Sequence, residues 1–328
     1  MFKTIINAWK IADLRKKMLF TALIVFIFRL GAALPVPFVN ISGGLISDQN
    51  ANNFMTYLSM MTGDAFNYGT LFAMSITPYI NASIIIELLT VAIPALERLA
   101  KEGEEGRKKI STITRYSSVV LALMQSTAYY FYIRSQNYLS LDADGNKFTG
   151  FFAVLQAITI IFCYTAGASL IMWLGEQINE KGIGNGISII LFAGIVSRMP
   201  TTLYSLYSYM DKGGAYYALA PIAFVSLILM IGFIVWMDNA ERRIPVQYAK
   251  RVVGRKMYGG QASTLPMKVN MSGVLPIIFA QTIASLPATI WAFVGIPEEG
   301  TVGRSIYNAI DTKSVLYLIV YFLMIIGL

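Results

Sequence analysis

Apolar runs of about twenty residues recur along most of this 328-residue chain, and each is long enough to cross roughly 30 Å of hydrocarbon as a helix. In lipid a backbone must satisfy its own hydrogen bonds, so runs of this kind fold as spanning helices. Seven complete spans are predicted, near Met18–Leu34, Leu71–Pro94, Ser117–Ile133, Phe151–Gly175, Ile183–Ser197, Ala218–Met237 and Val274–Ile296. An eighth begins near Val315 and runs fourteen residues to Leu328, short of the roughly twenty a span needs. The expected class is therefore an all-α polytopic membrane protein, seven spans plus a partial eighth, and the chain reads as cut within that last span.

Only 13% of the residues are charged, about half the share of an ordinary soluble domain. Histidine is absent and Cys163 is the single cysteine. Those counts exclude a disulfide within the chain, a Cys/His zinc site and any mechanism needing an imidazole. No cofactor is expected. Lys3, Lys10, Arg15, Lys16 and Lys17 precede the first apolar run, and no small-residue cleavage site follows it, so the run is expected to stay as a span.

The net charge is +8, and its placement carries more information than its size. The segments before the first span, 95–116, 176–182 and 238–273 hold five, six, one and seven Lys and Arg, whereas the intervening segments hold none, two, two and two. Positive residues stay on the cytoplasmic side, which puts the N-terminus, the 95–116 segment and the 238–273 segment in the cytoplasm.

Several features depart from plain spanning helices. Asn53 to Tyr68 is partly apolar but too short and too rich in Gly, Asn and Thr to cross, so it is interfacial or re-entrant. The second span carries Pro78 at what reads as mid-membrane, and the seventh carries Pro276 and Pro287. Interrupted helices at matching positions in two halves point to a transport pathway built from repeats; the alternative is that proline and small residues merely aid close packing. Arg29 and Glu87 are ionisable groups inside spans. The arginine can snorkel outward, and the glutamate can line water or pair with a neighbour. The run Gly182-Ile183-Gly184-Asn185-Gly186 looks superficially like a phosphate loop, but it follows a membrane helix and lacks Lys-Ser/Thr, so it reads as a tight helix-to-helix turn.

Four motifs, in order along the chain, closely resemble the SecY family of bacterial protein-conducting channels: Pro78-Tyr79-Ile80-Asn81-Ala82-Ser83-Ile84; Lys101 to Ile110, KEGEEGRKKI; Gly175 to Ser188, GEQINEKGIGNGIS; and Leu265 to Asn270, LPMKVN, followed by Gly273-Val274-Leu275-Pro276. The resemblance implies a ten-helix channel of two five-helix halves, here 1–200 and an incomplete 201–328. Such a channel passes unfolded secretory polypeptides across the membrane and releases hydrophobic helices sideways into lipid. It further implies a pore ring of Ile80, Ile84, Ile187, Leu191 and Ile278, with Leu191 standing where isoleucine is usual. A plug is implied at 53–68, including Met55, Leu58, Met61 and Gly63. Gln125, Gln281, Thr282 and Leu286 fall at the lateral gate, and Glu87 stands where glutamine is expected.

Arg242, Arg243, Lys250, Arg251, Arg255, Lys256 and Lys268 would belong to a cytoplasmic docking surface for the SecA ATPase and the ribosome, although charge alone also allows an anionic-lipid patch. SecE and SecG subunits, signal-bearing polypeptides and membrane lipids are the other implied partners, and the bacterial plasma membrane is the implied location. Two other classes are a secondary transporter of a small solute, which also uses broken helices in paired halves, and an intramembrane enzyme. The transporter needs polar groups converging at mid-depth and the enzyme a nucleophile with its base. The sequence offers an aliphatic constriction and no histidine.

Overall fold

The computed structural model describes residues 9–41, 43–45, 59–140, 148–211, 213–214, 216–246, 251–253, 256–258, 263–269 and 314–327, with isolated positions between 277 and 309. In chain order the elements are α1 (Ala12–Gly31), α2 (Thr77–Ala92), α3 (Pro94–Lys101), α4 (Glu104–Ser135), α5 (Phe151–Lys181), α6 (Gly186–Ser197), α7 (Met199–Asp211), α8 (Tyr216–Asp238), β1 (Glu241–Val246), β2 (Arg251–Val253), β3 (Lys256–Tyr258), β4 (Ser263–Lys268) and α9 (Val315–Gly327). The chain divides into two compact units, Met1–Pro200 with Thr282–Ile319, and Thr201–Gln281 with Val320–Leu328.

Among the described residues three stretches are long and apolar enough to cross a membrane: α5, Gly186–Asp211 and α8; the pair α2 and α3, bent by 101°, makes a fourth if it is one span. This is fewer than the seven complete spans read from the sequence, and each difference has a cause. Asp13 and Arg29 lie inside α1 at its two ends, together with Arg15, Lys16 and Lys17. In α4 the stretch after Arg115 is free of charge up to Ile133, but Ser117, Ser118, Gln125, Ser126, Thr127 and several tyrosines dilute its apolar character. Val274–Ile296 falls almost entirely outside the described residues.

The second expected span, Leu71–Pro94, starts late. Residues 71–76 form turns, with Ser75 at φ 48°, and helix begins only at Thr77. Pro78 therefore sits in the first turn of α2, where its missing N–H is not needed, and does not interrupt a helix. At the other end Pro94 forces Ile93 into extended backbone (φ −107°, ψ 114°), which stops α2 and restarts the chain as α3 at the sharp bend. The fifth expected span, Ile183–Ser197, is broken at Arg198 and continues in apolar sequence to Asp211.

The all-α expectation also needs correction in the 238–273 segment. β1 pairs antiparallel with β4 and β2 with β3, with Arg242 opposite Met267 and Arg251 opposite Tyr258. β-branched and extended-favouring residues in IPV, RVV and STLP suit strands once two arms lie side by side.

In the first unit α4 and α5 pack against α2, α1 and α6. Small residues make the approach close: Ser118, Ala122 and Ser126 on α4, and Gly167 and Ala168 on α5, are all buried. Lipid tails are as apolar as the helices, so contact of this kind, not expulsion from water, holds spans together. Two buried clusters result. One gathers Phe66, Met74, Tyr129, Ile133, Ile160 and Tyr164. The other gathers Ile24, Phe28, Phe72, Ile76, Ile171, Leu174, Ile178 and Ile190.

Candidate functional site

The buried members of the second cluster are all aliphatic or phenyl groups. Half-buried Ile80, Ile187 and Leu191 pack against it from α2 and α6. Three of the five expected ring residues thus converge on one apolar centre. Ile84, one turn further along α2, is buried at 6% exposure but lies outside that cluster. Ile278 is outside the described residues.

The turn before α6 sets which face of that helix meets the cluster. Asn185 caps α6, its Oδ1 accepting from the Ile187 N–H at 3.0 Å and the Ser188 N–H at 3.4 Å. Asn179 Oδ1 accepts from the Gly186 N–H at 2.7 Å, and Thr21 Oγ1 from the Ile183 N–H at 3.1 Å. Side chains of the same chain therefore occupy N–H groups that a phosphate loop would present to a ligand, consistent with a tight helix-to-helix turn. Nearby, Arg115 Nε lies 2.5 Å from Glu176 Oε1, joining α4 to α5 within the GEQINEKG motif.

Beside this centre lies the second half of the short 53–68 segment. Met55 and Leu58 are outside the described residues. Residues 59–62 are helical and 63–69 form turns, with Met61 half-buried and Gly63 buried. Gly63, at φ +64°, fits against α6: a Cβ here would lie 2.5 Å from Ser197 Oγ and 2.7 Å from the Gly194 carbonyl. Asp64 Oδ2 meets Arg198 Nε at 2.9 Å, and its Oδ1 accepts from Ser59 Oγ at 2.9 Å. The Tyr129 hydroxyl donates to the Phe66 carbonyl at 2.5 Å and that of Tyr164 to the Gly69 carbonyl at 2.9 Å. Within residues 59–70, Ser59, Thr62, Ala65, Phe66, Gly69 and Thr70 are all buried, and neighbouring helices supply polar partners.

Arg29 is exposed near the end of α1. Its Nη1 donates to Ser197 Oγ at 2.9 Å, which in turn donates to the Gly194 carbonyl at 2.5 Å. Glu87 is exposed on α2. Asp64, Arg198 and Ser197 escaped sequence analysis. The available signal was an acid and two arginines set among apolar residues, each costly unless partnered.

Of the expected gate residues, Gln125 is half-buried on α4, while Gln281, Thr282 and Leu286 lie outside the described residues. In the basic segment Arg242 and Arg243 are exposed on β1 and Lys268 is exposed on β4, opposite Glu241. Arg251 and Lys256 fall on β2 and β3, and Lys250 and Arg255 lie outside the described residues. Among the described residues no group of three or more acidic, cysteine or histidine side chains could hold a metal ion.

A family profile described as SecY matches residues 70–328. The protein translocase subunit SecY of Streptomyces scabiei is 39% identical over 332 residues, covering 99% of this chain and 75% of the relative. That of Corynebacterium glutamicum is 41% identical over 299 residues, 88% of this chain and 65% of the relative. Among solved structures, a protein-conducting channel aligns with 95% of this chain and 70% of its own at 19% identity and a TM-score of 0.63. A SecY structure whose plug domain is described as stabilising the closed state aligns with 94% of this chain and 69% of its own at 17% identity and a TM-score of 0.60. At these identities the structural likeness carries the fold.

Proposed function

The chain belongs to the SecY family, and from that membership we infer its work: it is a protein-translocase subunit, a multi-pass membrane channel that conducts polypeptides and is not an enzyme. Unfolded secretory chains pass through it, and hydrophobic helices leave it sideways into lipid.

The finer assignments follow from physical reasoning. Ile80, Ile84, Ile187, Leu191 and Ile278 form a pore ring, a reading carried by the packing of Ile80, Ile187 and Leu191 on one aliphatic cluster. A narrow apolar collar excludes ions by dewetting and yields to a passing chain without binding it. Residues 53–68, with Met55, Leu58, Met61 and Gly63, are the plug. Gln125, Gln281, Thr282 and Leu286 are lateral-gate residues, and 1–200 and 201–328 are the two halves of the chain. The chain crosses the membrane seven times and enters an eighth span, with its N-terminus in the cytoplasm of a bacterium and its home the plasma membrane. Arg242, Arg243, Lys250, Arg251, Arg255 and Lys256 dock the SecA motor and the ribosome, and SecE and SecG complete the assembly. One relative in the same fold is described as Sec61 in a ribosome–channel complex, which supports ribosome docking here.

The test is contact with a translocating chain. A secretory polypeptide stalled in the full-length channel and carrying one cysteine should form a disulfide with cysteine placed at Ile187 or Leu191, and not with cysteine at Ile228. Equal capture at all three positions would remove the ring from the polypeptide's path.

A further inference from the structure

We propose that Asp64 and Arg198 form the latch that positions the plug, with residues 59–70 as its fixed root, so that opening begins when this ion pair parts. The proposal rests on the reading of residues 53–68 as the plug.

Arg198 caps the C-terminal end of α6, whose first residue is Gly186. A cation set among apolar helices is costly without a partner, and Asp64 is 2.9 Å away. The two side chains are only 26% and 21% exposed. Both carboxylate oxygens are engaged, Oδ2 by Arg198 and Oδ1 by Ser59.

The backbone at the latch is held in a conformation that L-residues disfavour. Asp64 has φ 71° and follows Gly63 at φ 64°. Aspartate is among the few L-residues that visit this region, and the ion pair, the Ser59 contact and the Asp64 N–H to Ser59 carbonyl bond at 2.9 Å hold it there. Beyond the latch, the two tyrosine hydroxyls on the Phe66 and Gly69 carbonyls hold the rest of the root to α4 and α5. These bonds involve no charge on the root. The plug can therefore be released on its α6 side while its other side stays moored.

An ion pair suits this task better than an apolar contact. Its attraction is strong in a dry, low-dielectric site and falls steeply as water enters. Widening of the pore floods the site, so the latch weakens as the channel opens and regains strength as it closes.

The experiment measures resting ion conductance of the full-length channel, assembled with its partner subunits, in planar bilayers. Asp64→Asn, which keeps size and removes charge, should raise it several-fold, as should Arg198→Gln. Asp64→Glu should lie closer to the original channel than Asp64→Asn does. The exchange Asp64→Arg with Arg198→Asp should conduct less than either of its single changes. Deleting residues 53–58 is the independent arm, and should raise conductance whenever the segment is a plug. If deletion raises conductance while Asp64→Asn and Arg198→Gln do not, the latch fails and the plug stands. If deletion leaves conductance unchanged, both fall. Should the exchanged pair fail to assemble, the comparison of Asp64→Asn with Asp64→Glu decides: equal conductance of those two overturns the latch.

Discussion

Gly186, the first residue of α6, lies against the backbone carbonyl of Gly175 on α5, so closely that a Cβ at 186 would overlap it. A Cβ at Gly175 would meet Ile76, Ile187 and Ile190 at 3.6–3.8 Å, which is ordinary contact. The demand for glycine is thus strict at 186 and mild at 175, and it decides how near α6, with Ile187 and Leu191, comes to the aliphatic cluster.

Gly186→Val should therefore destabilise the folded protein by about 1–3 kcal/mol, the usual cost of forcing bulk into a packed site. A lower melting temperature in detergent checks this. Gly232→Ala on α8, where nothing lies within 4 Å of the added Cβ, should be neutral. An equal shift for both variants would mean that the close approach is unimportant.

Ile84→Asn would place an amide at a position only 6% exposed, at a cost of roughly 1–3 kcal/mol if it stays unpaired. Water entering the closed pore relieves that cost, so resting ion conductance and acceptance of weak signal sequences should rise. Asparagine at Ile228, 53% exposed on α8, should change conductance far less. Bilayer recordings of the two variants separate these outcomes, and identical conductance would remove Ile84 from the ring.

Single cysteines at Lys108 and Arg255 should react with an impermeant thiol reagent only from the cytoplasmic side, and cysteines at Asp48 and Asp142 only from outside, as the asymmetry of Lys and Arg requires. The labelling is done on a Cys163→Ser background, because Cys163 is partly exposed within α5. Reaction of all four positions from one side would overturn the topology.

Replacing Arg255 and Lys256 together with Glu should weaken motor or ribosome binding by about tenfold or more at low salt, because rim charges act through complementary fields. The difference should shrink as salt shortens the screening length. Binding measured across a salt series reads this directly. Unchanged affinity at low salt would take the basic segment out of the docking surface, and retained binding to anionic vesicles would then assign it to lipid.

The amino-acid sequence determined what local chemistry can determine. Runs of apolar residues have one stable solution in hydrocarbon, so membrane class was legible without coordinates. The motif around Asn179 and Asn185 carried the family and the tight turn, because a cap acts on N–H groups only two or three residues away. Tertiary structure alone decided matters that hang on distant neighbours. Pro78 opens a helix instead of breaking one because residues 71–76 turn to meet Leu34, whose carbonyl accepts the Leu71 N–H at 2.9 Å. Arg242 and Arg243 lie on a strand because residues 263–268 return beside them. Asp64 and Arg198 are 134 residues apart in the chain. An ion pair depends on distance in space, which no local pattern encodes.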